Sequence, residues 1–154
     1  MRVFLDTNVL VSAIATRGLC TDVLQLVIAQ HDLLVGGTVR VELRRVLRDK
    51  LRLPAPLIHE FDGFLVRYGR VVSASEPANA VVRDPTDLSI LAEAASGKAE
   101  ILVTGDRDLL ELPPPAPLRI LSPRGFWELA RAHRDDGNRG AGRHPARATA
   151  PLGS

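Results

Sequence analysis

The chain has 154 residues, the usual length of one domain with a single hydrophobic core. Its one cysteine, Cys20, excludes an internal disulfide, and the absence of any long apolar run leads us to expect a cytoplasmic protein without a membrane partner. The net charge of +2 comes from residues 134–154, which hold four Arg and two Asp. Because this segment has almost no large apolar residue, we predict a folded domain over 1–133 and a disordered Arg/Gly/Ala/Pro-rich tail over 134–154.

Short apolar runs alternate with segments of helical periodicity along the predicted domain. Strands are predicted at 2–6, 33–35, 70–73, 101–103 and 118–121. Helices are predicted at 8–15, 22–30, 39–50, 57–68, 85–96 and 123–133, with a helical turn at 108–112. We expect Thr21, Thr38 and Asp84 to act as N-caps of the helices that follow them. The alternation predicts an α/β fold of three layers, with a mostly parallel sheet between helices.

Four acids fall at equivalent places in this predicted fold. Asp6 and Asp106 follow strands, Glu42 lies in the second turn of a helix, and Asp87 lies in the first turn of another. Strand ends and helix starts share one edge of a parallel sheet, so these side chains can converge there. Clustered carboxylates repel one another unless they are protonated or bind a cation, and an all-oxygen set favours Mg²⁺ or Mn²⁺. Such ions support the hydrolysis of phosphodiester bonds.

Each acid also has a purely structural interpretation. Asp6 can cap the next helix, Glu42 can be a solvated helix residue, and Asp87 can favour the helix dipole. Asp106 and Asp108 lie in a glycine-containing turn, where Asp is common for local reasons. The functional prediction therefore depends on the joint placement of the acids.

Four spaced motifs resemble those of PIN-domain nucleases, in particular proteins assigned as toxins of toxin–antitoxin systems and related to VapC. The motifs are Leu5-Asp6-Thr7-Asn8-Val9-Leu10, Val41-Glu42-Leu43, Arg83-Asp84-Pro85-Thr86-Asp87 and Leu102-Val103-Thr104-Gly105-Asp106-Arg107-Asp108. The resemblance extends from about Val3 to Trp127 and leaves the tail uncovered. As a set, these motifs are specific to the family, whereas any one alone is a weak signal.

The resemblance implies a Mg²⁺- or Mn²⁺-dependent endoribonuclease with a central five-stranded parallel sheet. The positions that match the family's catalytic and metal-binding acids are Asp6, Glu42, Asp87 and Asp106. Asp108 is an auxiliary ligand by the same likeness, and the predicted supporting residues are Asn8, Thr104 and Asp84. Asp84 is also an alternative to Asp87 as the ligand, although helical geometry favours Asp87.

The resemblance also implies partners: an RNA substrate, a cognate antitoxin protein and a second copy of the chain in a homodimer. The alternative interpretation is a PIN-like module that binds RNA or protein without cutting. Loss of quartet acids would be typical of such a module, and here all four are present. The sequence therefore favours catalysis.

Overall fold

The computed structural model describes residues 1–74, 85–113 and 118–141. The described strands are β1 (Arg2–Leu5), β2 (Asp32–Gly36), β3 (Arg70–Val72), β4 (Ile101–Val103) and β5 (Arg119–Leu121). The described helices are α1 (Thr7–Ala15), α2 (Leu19–Gln30), α3 (Gly37–Asp49), α4 (Ala55–Tyr68), α5 (Pro85–Ser96), α6 (Arg107–Leu110) and α7 (Pro123–Ala141). The strands form one sheet in the order β3-β2-β1-β4-β5, and every pairing is parallel. The predicted three-layer α/β fold with a five-stranded sheet is confirmed.

Strand β1 lies at the centre of the sheet, and three of its four side chains are apolar and buried. Val3, Phe4 and Leu5 are each 0% exposed. The strand pairs with β2 on one side and β4 on the other, and Leu5 lies opposite Val103. The residues that follow Leu5 and Val103 therefore emerge side by side at the carboxyl edge of the sheet, where ligands bind in open α/β folds.

Two predicted helix caps are wrong. Helix α2 begins earlier than expected, with Gly18 as its N-cap, and the Thr21 hydroxyl instead donates to the carbonyl oxygens of Ala13 (3.1 Å) and Thr16 (2.8 Å). Helix α3 has Gly36 as its N-cap, and Thr38 lies within the first turn. The N-cap of α2 has no side-chain hydrogen bond, and the first turn of α3 instead receives an acceptor from a distant segment, since the N–H of Thr38 donates to Glu93. The predicted cap Asp84 lies outside the described residues.

The last helix is longer than predicted. Helix α7 continues past His133 to Ala141, so residues 134–141 are helical where we expected disorder. Phe126 and Ala130 bury the start of the helix, at 0% and 3% exposure. Once these contacts have formed the first turns, each further residue adds one backbone hydrogen bond while only one more residue is ordered. A polar segment can therefore continue the helix. The division between a domain at 1–133 and a tail stays a prediction, because residues 142–154 lie outside the described range.

Helices α1 and α2 carry much of the apolar surface of the chain. Within the described residues, no single helix is long and apolar enough to cross a membrane, and α1 with α2 meets that test only as a pair bent by 108°. Their apolar residues are used in the core, where Val9, Leu10, Val23 and Val27 are all buried. The apolar composition of this pair is thus accounted for by packing.

Candidate active site

The carboxyl ends of β1 and β4 place two acids next to each other. Asp6 follows β1 and is 4% exposed, and its backbone N–H donates to the carbonyl of Val103 (3.0 Å). Asp6 is the N-cap of α1, because its Oδ1 accepts from the backbone N–H of Thr7 at 2.7 Å. Asp106 is the N-cap of α6, and its Oδ1 accepts from the backbone N–H of Asp108 at 2.9 Å. Asp6 therefore has the capping role that we weighed against function, and Asp106 has a local role in its turn. Each cap uses one carboxylate oxygen and leaves the other available.

The second oxygen of Asp6 is held by two polar side chains. Oδ2 accepts from the Thr104 hydroxyl at 2.7 Å and from the Asn8 amide at 3.0 Å. The Thr104 hydroxyl also accepts from the backbone N–H of Asp106 at 3.0 Å, and Asn8 Oδ1 accepts from the N–H of Gly105 at 2.9 Å. Thr104 and Asn8 thus join the turn after β4 to Asp6 and fix the orientation of its carboxylate. Their supporting role at a metal site stays a prediction.

Glu42 reaches the same place from α3. Its side chain is half-buried, and its Oε2 accepts from the Thr7 hydroxyl at 3.1 Å. Burial raises the pKa of the Asp6 carboxyl; hydrogen bonds from Thr104 and Thr7 oppose this shift, and the negative charges of Glu42 and Asp106 add to it. The structure therefore brings Asp6, Glu42 and Asp106 close enough for their charges to interact.

The other predicted ligands have different surroundings. Asp87 lies in the first turn of α5, the position that we predicted for it in the helix. Its side chain is 6% exposed. Asp108 is exposed, and its described contact is made by its backbone. Asp84 lies outside the described residues, so the preference for Asp87 over Asp84 stays a prediction.

The donor chemistry of this cluster suits a divalent cation. Asp6, Glu42 and Asp106 offer hard carboxylate oxygens. Burial is the main cause of the raised pKa of Asp6, and the negative charges of Glu42 and Asp106 add to it, so a nearby cation would favour the ionised form. Among the described residues, however, no group of three or more His, Cys, Asp or Glu side chains is already arranged to hold a metal ion.

The buried Asp6 carboxyl gives a pH-dependent contribution to stability in metal-free protein. Its folded pKa lies above 3.8, so its contribution to the free energy of unfolding is largest below 3.8 and is lost as pH rises through the folded pKa. Each pKa unit of difference corresponds to about 1.4 kcal/mol. We expect the difference in free energy of unfolding between wild type and Asp6→Asn to shift in favour of the Asn variant as pH rises. Urea titrations in EDTA at several pH values measure this, and a constant difference would contradict it.

Sequence reasoning missed one buried acid. Glu93 in α5 is 4% exposed, although we assigned it no role. A signal was available, because Glu93 interrupts an otherwise apolar stretch of Leu91, Ala92 and Ala94 in a predicted core helix.

The family model of the PIN domain matches residues 2–108. A chain in the crystal structure of VapBC2 from Rickettsia felis bound to a DNA fragment from their promoter has the same fold, with a TM-score of 0.58 and 21% sequence identity. The match covers 78% of this chain and 98% of that one. No curated protein sequence matches.

Proposed function

The chain belongs to the PIN domain family, and from that premise we propose that it is an endoribonuclease that requires Mg²⁺ or Mn²⁺. PIN domains are generally nucleases that use divalent metals. The observation that carries the proposal is the buried Asp6 carboxylate, which Thr104 and Asn8 orient at the edge of the sheet beside Glu42 and Asp106.

We propose that the cation is held by the four acids identified from the sequence, with one auxiliary ligand. These are Asp6, Glu42, Asp87 and Asp106, with Asp108 as the auxiliary. When bound, a divalent cation supplies activation of water and neutralisation of the charge that develops during phosphodiester hydrolysis. The chain's own contribution is orientation: Thr104 and Asn8 hold Asp6, and the Thr7 hydroxyl draws Glu42 toward it.

RNA must approach an acidic edge, so cations near that edge have to attract its phosphates. Arg40 on α3 is already engaged, because its guanidinium binds both carboxylate oxygens of Asp62 at 2.9 and 2.8 Å. Arg107 is exposed and directly follows Asp106. We therefore propose Arg107 rather than Arg40 as the phosphate contact beside the acids.

We further propose that the protein is the toxin of a toxin–antitoxin pair, with a cognate antitoxin, a homodimeric state and a cytoplasmic location. The motif resemblance to toxins related to VapC supports the antitoxin and the dimer. The fold match to the VapBC2 structure agrees with this class of protein. The single cysteine agrees with a reducing compartment.

An RNA cleavage assay tests the activity. A labelled single-stranded RNA and a DNA of the same sequence are incubated with the full chain in Mn²⁺, in Mg²⁺ and in EDTA. We expect RNA to be cut with either metal, no cutting in EDTA, and recovery when excess Mn²⁺ is added back. Equal cleavage in EDTA would contradict metal dependence. Binding of RNA with no cleavage under any condition would instead support the non-catalytic binding module.

A further inference from the structure

The carboxylate of Glu93 is buried without a cationic partner in the described part of the chain. Glu93 is 4% exposed, and the ion pairs found among the described residues, Arg40 with Asp62 and Arg48 with Asp49, do not include it. Its Oε1 accepts from the backbone N–H of Thr38 at 2.7 Å, and its Oε2 has no hydrogen-bond partner among the described residues. Glutamate is rarely buried in this way, so a specific contact must offset the cost.

That contact is the N-terminus of α3. The first turn of α3 contains no acidic residue, and its N-cap, Gly36, offers no side chain to bind the free N–H groups. Glu93 enters from α5 and accepts from the N–H of Thr38, which satisfies one of the free N–H groups at the start of the helix. One side chain therefore does for α3 what a local N-cap residue does for other helices.

The chain leaves space for this carboxylate at Gly36. A Cβ added to Gly36 would overlap Glu93 Oε2 and would also meet the tip of the Phe4 ring. Gly36 has a φ of −72°, which any residue adopts, so backbone conformation does not explain the glycine. The absence of a side chain at Gly36 is instead what admits the Glu93 carboxylate beside the start of α3.

The contact joins two helices that each carry a proposed metal ligand. Helix α3 carries Glu42, which receives the hydrogen bond from Thr7, and α5 carries Asp87 in the same helix as Glu93. We propose that Glu93 is a positioning residue that fixes the start of α3 and so holds Glu42 in register with Asp6. This role rests on the proposed metal-dependent function, whereas the contact with Thr38 does not.

Direct titration of Mn²⁺ into the full chain tests this role. Circular dichroism and thermal melts show that each variant is folded, and the titrations are made well below its melting temperature. We expect Glu93→Ala to raise the Kd for Mn²⁺ by about 10- to 100-fold, the usual effect of losing a group that orients a metal ligand. Glu93→Gln keeps an oxygen for the Thr38 N–H and is expected to stay within about threefold of wild type. Glu128→Ala, on the exposed face of α7, is the matched control and should leave the Kd unchanged.

The outcomes separate this role from the proposed function. If wild type binds no Mn²⁺, the metal site itself is wrong. If wild type binds Mn²⁺ and folded Glu93→Ala binds it equally well, the positioning role is overturned. An equal loss of affinity in Glu93→Gln and Glu93→Ala would also overturn it, because the hydrogen bond would then not be what matters. If Glu93→Ala does not fold, Glu93→Leu fills the same space without an acceptor and gives the same comparison.

Discussion

Asp6→Asn is expected to lower the rate of RNA cleavage by roughly 10³-fold, the order of effect seen when a group that stabilises transition-state charge is removed. Asp6 is 4% exposed at the edge of the sheet, and its carboxylate accepts from Thr7, Thr104 and Asn8. Asparagine has nearly the same shape but no negative charge, so it removes the attraction for a cation while preserving the size of the side chain. Initial rates in Mn²⁺ at a fixed concentration of labelled RNA measure the effect.

The matched control is Asp135→Asn, which makes the same chemical change at an exposed position on α7. Its cleavage rate should equal that of wild type. Stabilisation of the fold by Mn²⁺ provides a second readout, because a ligand that binds only the folded state raises the melting temperature. This increase should be present in wild type and absent in Asp6→Asn. An Asp6→Asn protein that folds and cuts at the wild-type rate would show that Asp6 is not a ligand.

Phe4→Ala is expected to lower the free energy of unfolding by about 3–5 kcal/mol, the usual cost of removing a buried aromatic side chain. Phe4 is 0% exposed on the central strand, and its ring tip lies beside Gly36. Because the total stability of a domain is about 5–15 kcal/mol, this single change removes a large part of it. Urea denaturation followed by circular dichroism measures the difference.

Phe64→Ala provides the comparison, since the same side chain on α4 is 41% exposed. Its ring contacts Tyr68, with ring centroids 4.8 Å apart. We therefore expect Phe64→Ala to lower the free energy of unfolding by about 1 kcal/mol. Equal decreases in the free energy of unfolding for Phe4→Ala and Phe64→Ala would contradict the central position of β1. A large decrease confined to Phe4→Ala would support it.

Most of the fold follows from periodicity in the sequence. The bounds of each of the five strands were predicted within one or two residues. Short apolar runs bounded by turn residues are typical of buried strands in a chain of this size. The convergence of Asp6 and Asp106 also followed, since neighbouring parallel strands align their carboxyl ends. The metal-binding and catalytic roles of these acids stay predictions.

Contacts between distant segments were not predictable in the same way. Thr38 follows a strand and precedes a helix, which is typical of an N-cap, yet the acceptor for its N–H comes from Glu93, 55 residues along the chain. No local pattern encodes that partner, because it depends on how α5 packs against α3. The extension of α7 was missed for a related reason: Phe126 and Ala130 anchor a helix whose later residues have no apolar periodicity of their own.

The central position of β1 has a consequence for the order of events during synthesis. Strand β1 is synthesised before β4, which is its neighbour on one side of the sheet. Strand β1 can therefore complete its hydrogen bonding only after β4 has left the ribosome. The hydrogen bond between Thr104 and Asp6 spans 98 residues, so the acidic edge cannot exist in a short nascent chain. An incomplete translation product would hold Asp6 and Glu42 without Asp106, so the three acids can come together only when nearly the whole domain has been synthesised.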